Sequence, residues 1–131
     1  MDTNVLLVAI ARKSKYRPIF DAFLQERFIL CISTDILFEY EEIIGIHLGK
    51  TVASNLVQLI ENANNIIFTH NYFKWQLINV DPDDNKFVDC AVAANARFII
   101  SEDNHFNILK QISFPHVKVI TANQFLTFLQ Q

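Results

Sequence analysis

The sequence predicts an α/β fold, a mostly parallel sheet flanked by helices, and three observations carry that reading. Short continuous apolar runs recur along the chain, at Phe28 to Ile32, Ile66 to Phe68, Phe98 to Ile100 and Val117 to Ile120. Runs of that length suit strands covered on both faces. Helical patterns lie between them, at Pro18 to Leu24, Ile36 to Ile46, Val52 to Ala63, Lys86 to Ala96 and Asn123 to Leu129. Strands that alternate with helices imply βαβ units. Finally, 2 Gly and 3 Pro are too few for a hairpin-rich all-β protein.

The helix starts are marked in order. Ser33 or Thr34 precedes the second helix, and Asp35 in its first turn favours the positive end of the helix dipole. Asp81-Pro82-Asp83-Asp84, ahead of the alanine-rich helix, combines a cap with early acids and an early proline. Thr121 followed by Gln124 has the spacing of a capping box.

With 131 residues there is room for one domain, residues 1–131, and no second core. A chain of this length buries about two thirds of its unfolded surface, so no disulfide staple is required. Apolar residues make up 51% and charged residues 19%, which excludes a disordered chain. The 12 Phe, against 3 Tyr and 1 Trp, point to a bulky core rather than a base-stacking platform. A net charge of -3 gives no argument for a nucleic-acid partner, but carboxylates that bind a cation count as negative until it arrives. Cys31 and Cys90 lie in the apolar runs ILCIS and FVDCAV and read as buried free thiols of a reducing compartment. No apolar stretch reaches the roughly 18 residues of a membrane span, and no signal-peptide pattern opens the chain. The expected location is the cytoplasm, with no membrane partner.

Ligands of an open parallel sheet collect outside the carboxyl ends of its strands. Asp103 follows the run RFIIS by two residues, and Asp2 and Asn4 stand just before Val5-Leu6-Leu7-Val8. Either acid alone reads equally well as a cap. Asp89 is harder to dismiss, being the one charge in Phe87 to Ala94. A lone buried carboxylate is costly unless compensated, and Lys86 is the one basic residue close enough to pair with it locally. A bound cation is the other compensation. Glu39, Glu41 and Glu42 flank the apolar stripe of the second helix, and spacing does not choose between Glu39 and Glu41. Hard oxygen ligands without nearby Cys or His pairs select Mg²⁺ or Mn²⁺, the cations of metal-assisted phosphoryl chemistry.

Four segments then resemble PIN-domain proteins. Asp2-Thr3-Asn4-Val5 resembles the opening motif of that family, and Leu37-Phe38-Glu39-Tyr40 the helix with its second acid. Asp84 to Ala91 is similar to the stretch that carries the third, and Arg97 to Phe106 to the stretch with the fourth. The resemblance covers essentially the whole chain and is closest to the toxin components of prokaryotic toxin–antitoxin systems. It implies a five-stranded parallel sheet of order 3-2-1-4-5, with Asp2, Glu39, Asp89 and Asp103 as catalytic metal ligands. It also implies Mg²⁺ or Mn²⁺ dependence, endonucleolytic cleavage of single-stranded RNA, a small antitoxin partner and a homodimer. Asn4 and Ser101 are expected to orient the carboxylates, with Asp84 as an accessory acid. Since Met1 alone precedes Asp2, the central first strand is expected to be truncated.

Arg12, Lys13, Lys15 and Arg17 form the densest basic segment, ARKSKYR, and are the expected substrate contacts. His70 and His105 could serve in proton transfer, though an isolated His is more often structural. The competing reading is a catalytically impaired PIN scaffold that binds RNA or protein without cutting. A phospho-accepting receiver domain is a third, but Asp2 and Asn4 do not supply the acid pair it needs.

Overall fold

A computed structural model describes residues 1–70, 74–78 and 81–131. Its helices are α1 (Thr3–Ile10), α2 (Arg17–Leu24), α3 (Thr34–Leu48), α4 (Lys50–Asn62), α5 (Asn85–Ala93) and α6 (Ala122–Leu129). The strands are β1 (Leu30–Ser33), β2 (Ile66–Thr69), β3 (Ile99–Ile100) and β4 (Val119–Ile120). Two 3-10 segments, Pro82–Asp84 and Asn104–Gln111, complete the order. Each helix and strand expected from the apolar and helical patterns is present; the truncated first strand that the resemblance implies is not among the described strands. Helix α1 was not among those expected, because Thr3–Ile10 is apolar on nearly every side and lacks a helical stripe.

The local signals act as their chemistry requires. Ser33 caps α3, its hydroxyl accepting from the Ile36 amide at 3.4 Å. Thr121 and Gln124 close a reciprocal capping box on α6, with bonds of 3.1 and 2.8 Å. Gly49 joins α3 to α4 at a φ of 93°, where a side chain would be strained.

The sheet departs from the expected one. The strands form two parallel pairs, β1 with β2 from Leu30↔Ile66 to Ser33↔Thr69, and β3 with β4 at Ile99↔Val119 and Ile100↔Ile120. Among the described residues, the single five-stranded sheet of order 3-2-1-4-5 is not formed, and the stub Met1-Asp2 lies between the pairs. The Asp2 amide donates to the Ile100 carbonyl at 2.9 Å, and the Tyr40 hydroxyl donates to the Met1 carbonyl at 2.5 Å. One backbone bond does not make a strand, so the halves are joined by side-chain packing.

That packing forms two clusters. The larger is centred on Ile32, Ile36, Tyr40, Ile44, Ile60 and Val88; the smaller joins Val5, Ala9, Ile19, Ile100 and Phe125. Phe28, Phe125, Phe98 and Phe128 meet edge to face where the clusters adjoin, with the Phe28–Phe125 centroids 5.1 Å apart. The phenylalanines therefore divide. Phe23, Phe87, Phe106 and Phe125 are core, whereas Phe38 and Phe114 are 65% and 80% exposed.

Ile32 is 1% exposed within β1, so Ile32→Ala should cost about 2–5 kcal/mol of unfolding free energy in denaturant titration. Phe38→Ala should change it by no more than about 0.5 kcal/mol, as exposed substitutions usually do. Equal losses in both would contradict this placement of the core.

Candidate metal centre

Two chain segments 99 residues apart in sequence build the heart of the site. Asp2 sits at the N-terminus of α1, tied to the end of β3 by its amide. Ser101, the residue after β3, is buried and donates its hydroxyl to Asp2 Oδ2 at 2.7 Å. The same Ser101 oxygen accepts from the Asp103 amide at 2.9 Å. Asp103 in turn caps the following 3-10 segment, its Oδ1 accepting from the His105 amide at 2.8 Å. The cap reading of Asp103 is thus realised.

Asp84 enters from the other side. His105 Nδ1 lies 3.1 Å from Asp84 Oδ2 and 3.2 Å from Asp103 Oδ1. Asp81 completes this corner: one ligand atom each from Asp81, Asp84 and His105 lies within 4.8 Å of the others. Asp81 also caps the turn that aims Asp84, accepting from the Asp83 amide at 3.1 Å. Beyond burial, the negative charge of Asp103 raises the Asp2 carboxyl, and those of Asp81, Asp103 and Asp2 raise that of Asp84.

Of the acids on α3, Glu39 turns inward while Glu41 and Glu42 are exposed. Glu39 Oε2 accepts from the Thr3 hydroxyl, next door to Asp2, and Oε1 pairs with Lys86 Nζ at 2.7 Å. Lys86 also reaches Asp83 at 3.0 Å. The base closest in sequence to Asp89 is therefore committed elsewhere. Asp89 is 6% exposed on α5, and its Oδ1 accepts from the Trp75 amide at 3.1 Å. It lines a groove of about 500 Å³ with Glu39, Lys74 and Lys86.

The remaining expectations fall as follows. Ser101 holds the Asp2 carboxylate and the Asp103 backbone amide, whereas the Asn4 side chain is exposed on α1 and its backbone amide bonds Asp2. Arg12, Lys13 and Lys15 are exposed beyond the far end of α1. An eight-residue helix places them roughly 12 Å along its axis from Asp2. Arg17 is engaged structurally, bonding Asp21 at 2.9 Å and the Ile10 carbonyl at 2.6 Å. His105 and Asp81 are the residues that sequence reasoning undervalued. The three acids around Pro82 were their available signal.

Electrostatics favour an added cation. Burial pushes the Asp2 carboxyl up, against the opposing Ser101 bond. Burial likewise raises Asp84 and Asp89, while the Asp84 bond raises His105. These carboxylates are oxygen donors crowded without full compensation, the donor set that Mg²⁺ or Mn²⁺ takes. The residues present fit a divalent cation of that class.

A rim of acids at the carboxyl ends of parallel strands defines the class: an α/β domain with the donor set of a divalent-metal site. A PIN-domain family model matches residues 1–105 of the 131, and the chain belongs to that family. PIN domains are generally metal-dependent nucleases. No curated protein and no solved structure matches the chain.

The raised carboxyls fix a pH dependence. A folded-state pKa above the unfolded value contributes stability below the unfolded pKa, about 3.9 for Asp, and loses it as pH rises through the folded value. Stability of the protein in EDTA should therefore fall as pH climbs above about 4, and Asp2→Asn should flatten the decline. Unfolding titrations across this range provide the measurement; a steeper decline in Asp2→Asn would contradict the assignment.

Proposed function

We propose that the chain is a Mg²⁺- or Mn²⁺-dependent endoribonuclease that cuts single-stranded RNA. The observation that carries this is the Asp2–Ser101–Asp103 chain meeting Asp84 through His105 at one rim. In this reading Asp2, Glu39, Asp89 and Asp103 hold the cation, with Asp84 as an accessory acid; Glu39 is tied to the start of α1 by Thr3. Asp89 shares a groove with Glu39, its carboxylate held by the Trp75 amide. When bound, a divalent cation supplies Lewis acidity and a water more acidic than bulk. Ser101 fixes the Asp2 carboxylate, and His105 holds a proton at Nδ1 between Asp84 and Asp103. Arg12, Lys13 and Lys15 are free to meet phosphates of a strand that extends past α1.

Membership of a toxin–antitoxin pair, cytoplasmic action and homodimerisation belong to the same proposal and rest on the resemblance. Exposed apolar residues, among them Ile29, Phe38 and Ile46 at 60–70% exposure, support a protein partner or a second copy. The scaffold reading has one observation in its favour: Lys86 neutralises Glu39 at 2.7 Å.

Incubation with labelled single-stranded RNA, in Mg²⁺, Mn²⁺ or EDTA, separates the two. Cleavage should need metal and fall by at least about 100-fold in Asp103→Asn and Asp84→Asn, as lost electrostatic stabilisation typically does. Ser101→Ala should lose about 10–100-fold, the usual range for a group that orients a ligand. Asp89→Asn should lose activity by a similar factor to Asp103→Asn. Metal-independent RNA binding without cleavage would establish the scaffold.

A further inference from the structure

Of the phenylalanines, Phe114 stands furthest out: at 80% it is the most exposed large apolar side chain among the described residues. Its ring has a companion. The half-buried Trp75 meets it at an interplanar angle of 81°, with the centroids 5.8 Å apart. Neither residue lies in a helix or strand. A single exposed apolar side chain asks for no explanation, but two paired rings beside an acidic site do.

The pair is fixed to that site through its backbone. The Trp75 amide donates to Asp89 Oδ1 at 3.1 Å. One residue earlier, Lys74 is exposed and lines the groove that holds Asp89 and Glu39. Consecutive residues therefore present an ammonium to the groove and a ring at its side. Single-stranded nucleic acid is recognised by that combination, a cation for the phosphate and an aromatic face for the base. Perpendicular rings form a corner, so a flat base laid on one ring meets the other at right angles. An apolar protein segment is served less well. Lys74 and Gln76 flank Trp75, Ser113 and His116 stand near Phe114, and all four are exposed. A duplex offers no free base face, because its bases are stacked on one another.

We propose that Trp75 and Phe114 form a stacking subsite for one unpaired nucleobase of single-stranded RNA, with Lys74 at the phosphate that leads from that base into the groove. The choice of occupant rests on the ribonuclease reading. The subsite sets where the strand lies rather than which base it carries, since every base has a face to stack.

Trp75 is the one tryptophan of the chain, so its emission reports on the subsite directly. The full chain is titrated with end-labelled single-stranded hexaadenylate in Ca²⁺, a cation that takes the same oxygen donors as Mg²⁺. Emission should be quenched in a saturable way, in step with the anisotropy of the label. Phe114→Ala should weaken binding about tenfold, as the loss of one stacking face does. Phe114→Tyr, which keeps a ring, should bind as the native chain does, whereas Phe114→Leu should bind as weakly as Phe114→Ala. Trp75 emission that stays unchanged at every RNA concentration overturns the subsite. So does native affinity in Phe114→Leu, which would make the patch an apolar contact, or equal quenching by a duplex of the same length. Cleavage in Mg²⁺ separates the two readings: quenching without cleavage upholds the subsite and removes the nuclease, and cleavage without quenching does the reverse.

Discussion

The Ser101 hydroxyl is the contact on which the site depends, because it is shared by two carboxylate-bearing segments that the Asp2-to-Ile100 backbone bond brings side by side. It donates to Asp2 and accepts from the Asp103 amide, so one oxygen fixes an N-terminal acid and an acid that follows β3. A serine at this point can do both because a hydroxyl is donor and acceptor at once. Burial makes the arrangement firm, since each of these groups would otherwise be left unsatisfied away from water. It also makes the site costly: Asp2 and Asp84 are held where their charged forms are penalised. A fold that keeps such groups together is poised for a cation to relieve them.

The surrounding structure supplies rigidity on three sides. The Tyr40 hydroxyl clamps Met1 from α3, Thr3 ties the start of α1 to Glu39, and the 3-10 segment after Asp81 aims Asp84. These bonds run from buried or half-buried elements toward one rim, while the apolar clusters sit below it. Aromatic packing adds to the join between the two strand pairs, from Phe28 ahead of β1 to Phe125 on α6.

Much of the fold was legible from residues 28 to 129. The runs around Ile32, Ile67, Ile99 and Val119 became strands, and Ser33 and Thr121 became the caps their types suggest. Helix α1 was not legible. Val5, Leu6 and Ala9 face the core, while Leu7 and Val8 are apolar as well, so the periodicity that distinguishes a helix is erased. The site was half legible. Asp2 and Asp103 stood out by their positions at the terminus and after a strand, while Ser101 was implied by the resemblance. His105 could not be promoted, because one histidine in an acidic segment carries no geometry.

By itself the sequence determined the alternation of strand and helix, the helix starts and the acidic character of the rim. These follow from periods and caps that act over three or four residues. Only the tertiary structure decided which acids face each other. It drew Lys86 to Glu39 and away from Asp89, set Asp84 against His105, and gave Asp89 the Trp75 amide as a partner. The physical reason is that a carboxylate's surroundings are set by groups tens of residues away, brought near by packing rather than by spacing. The split of the sheet was decided at the same level, since strand pairing depends on what occupies the neighbouring edge.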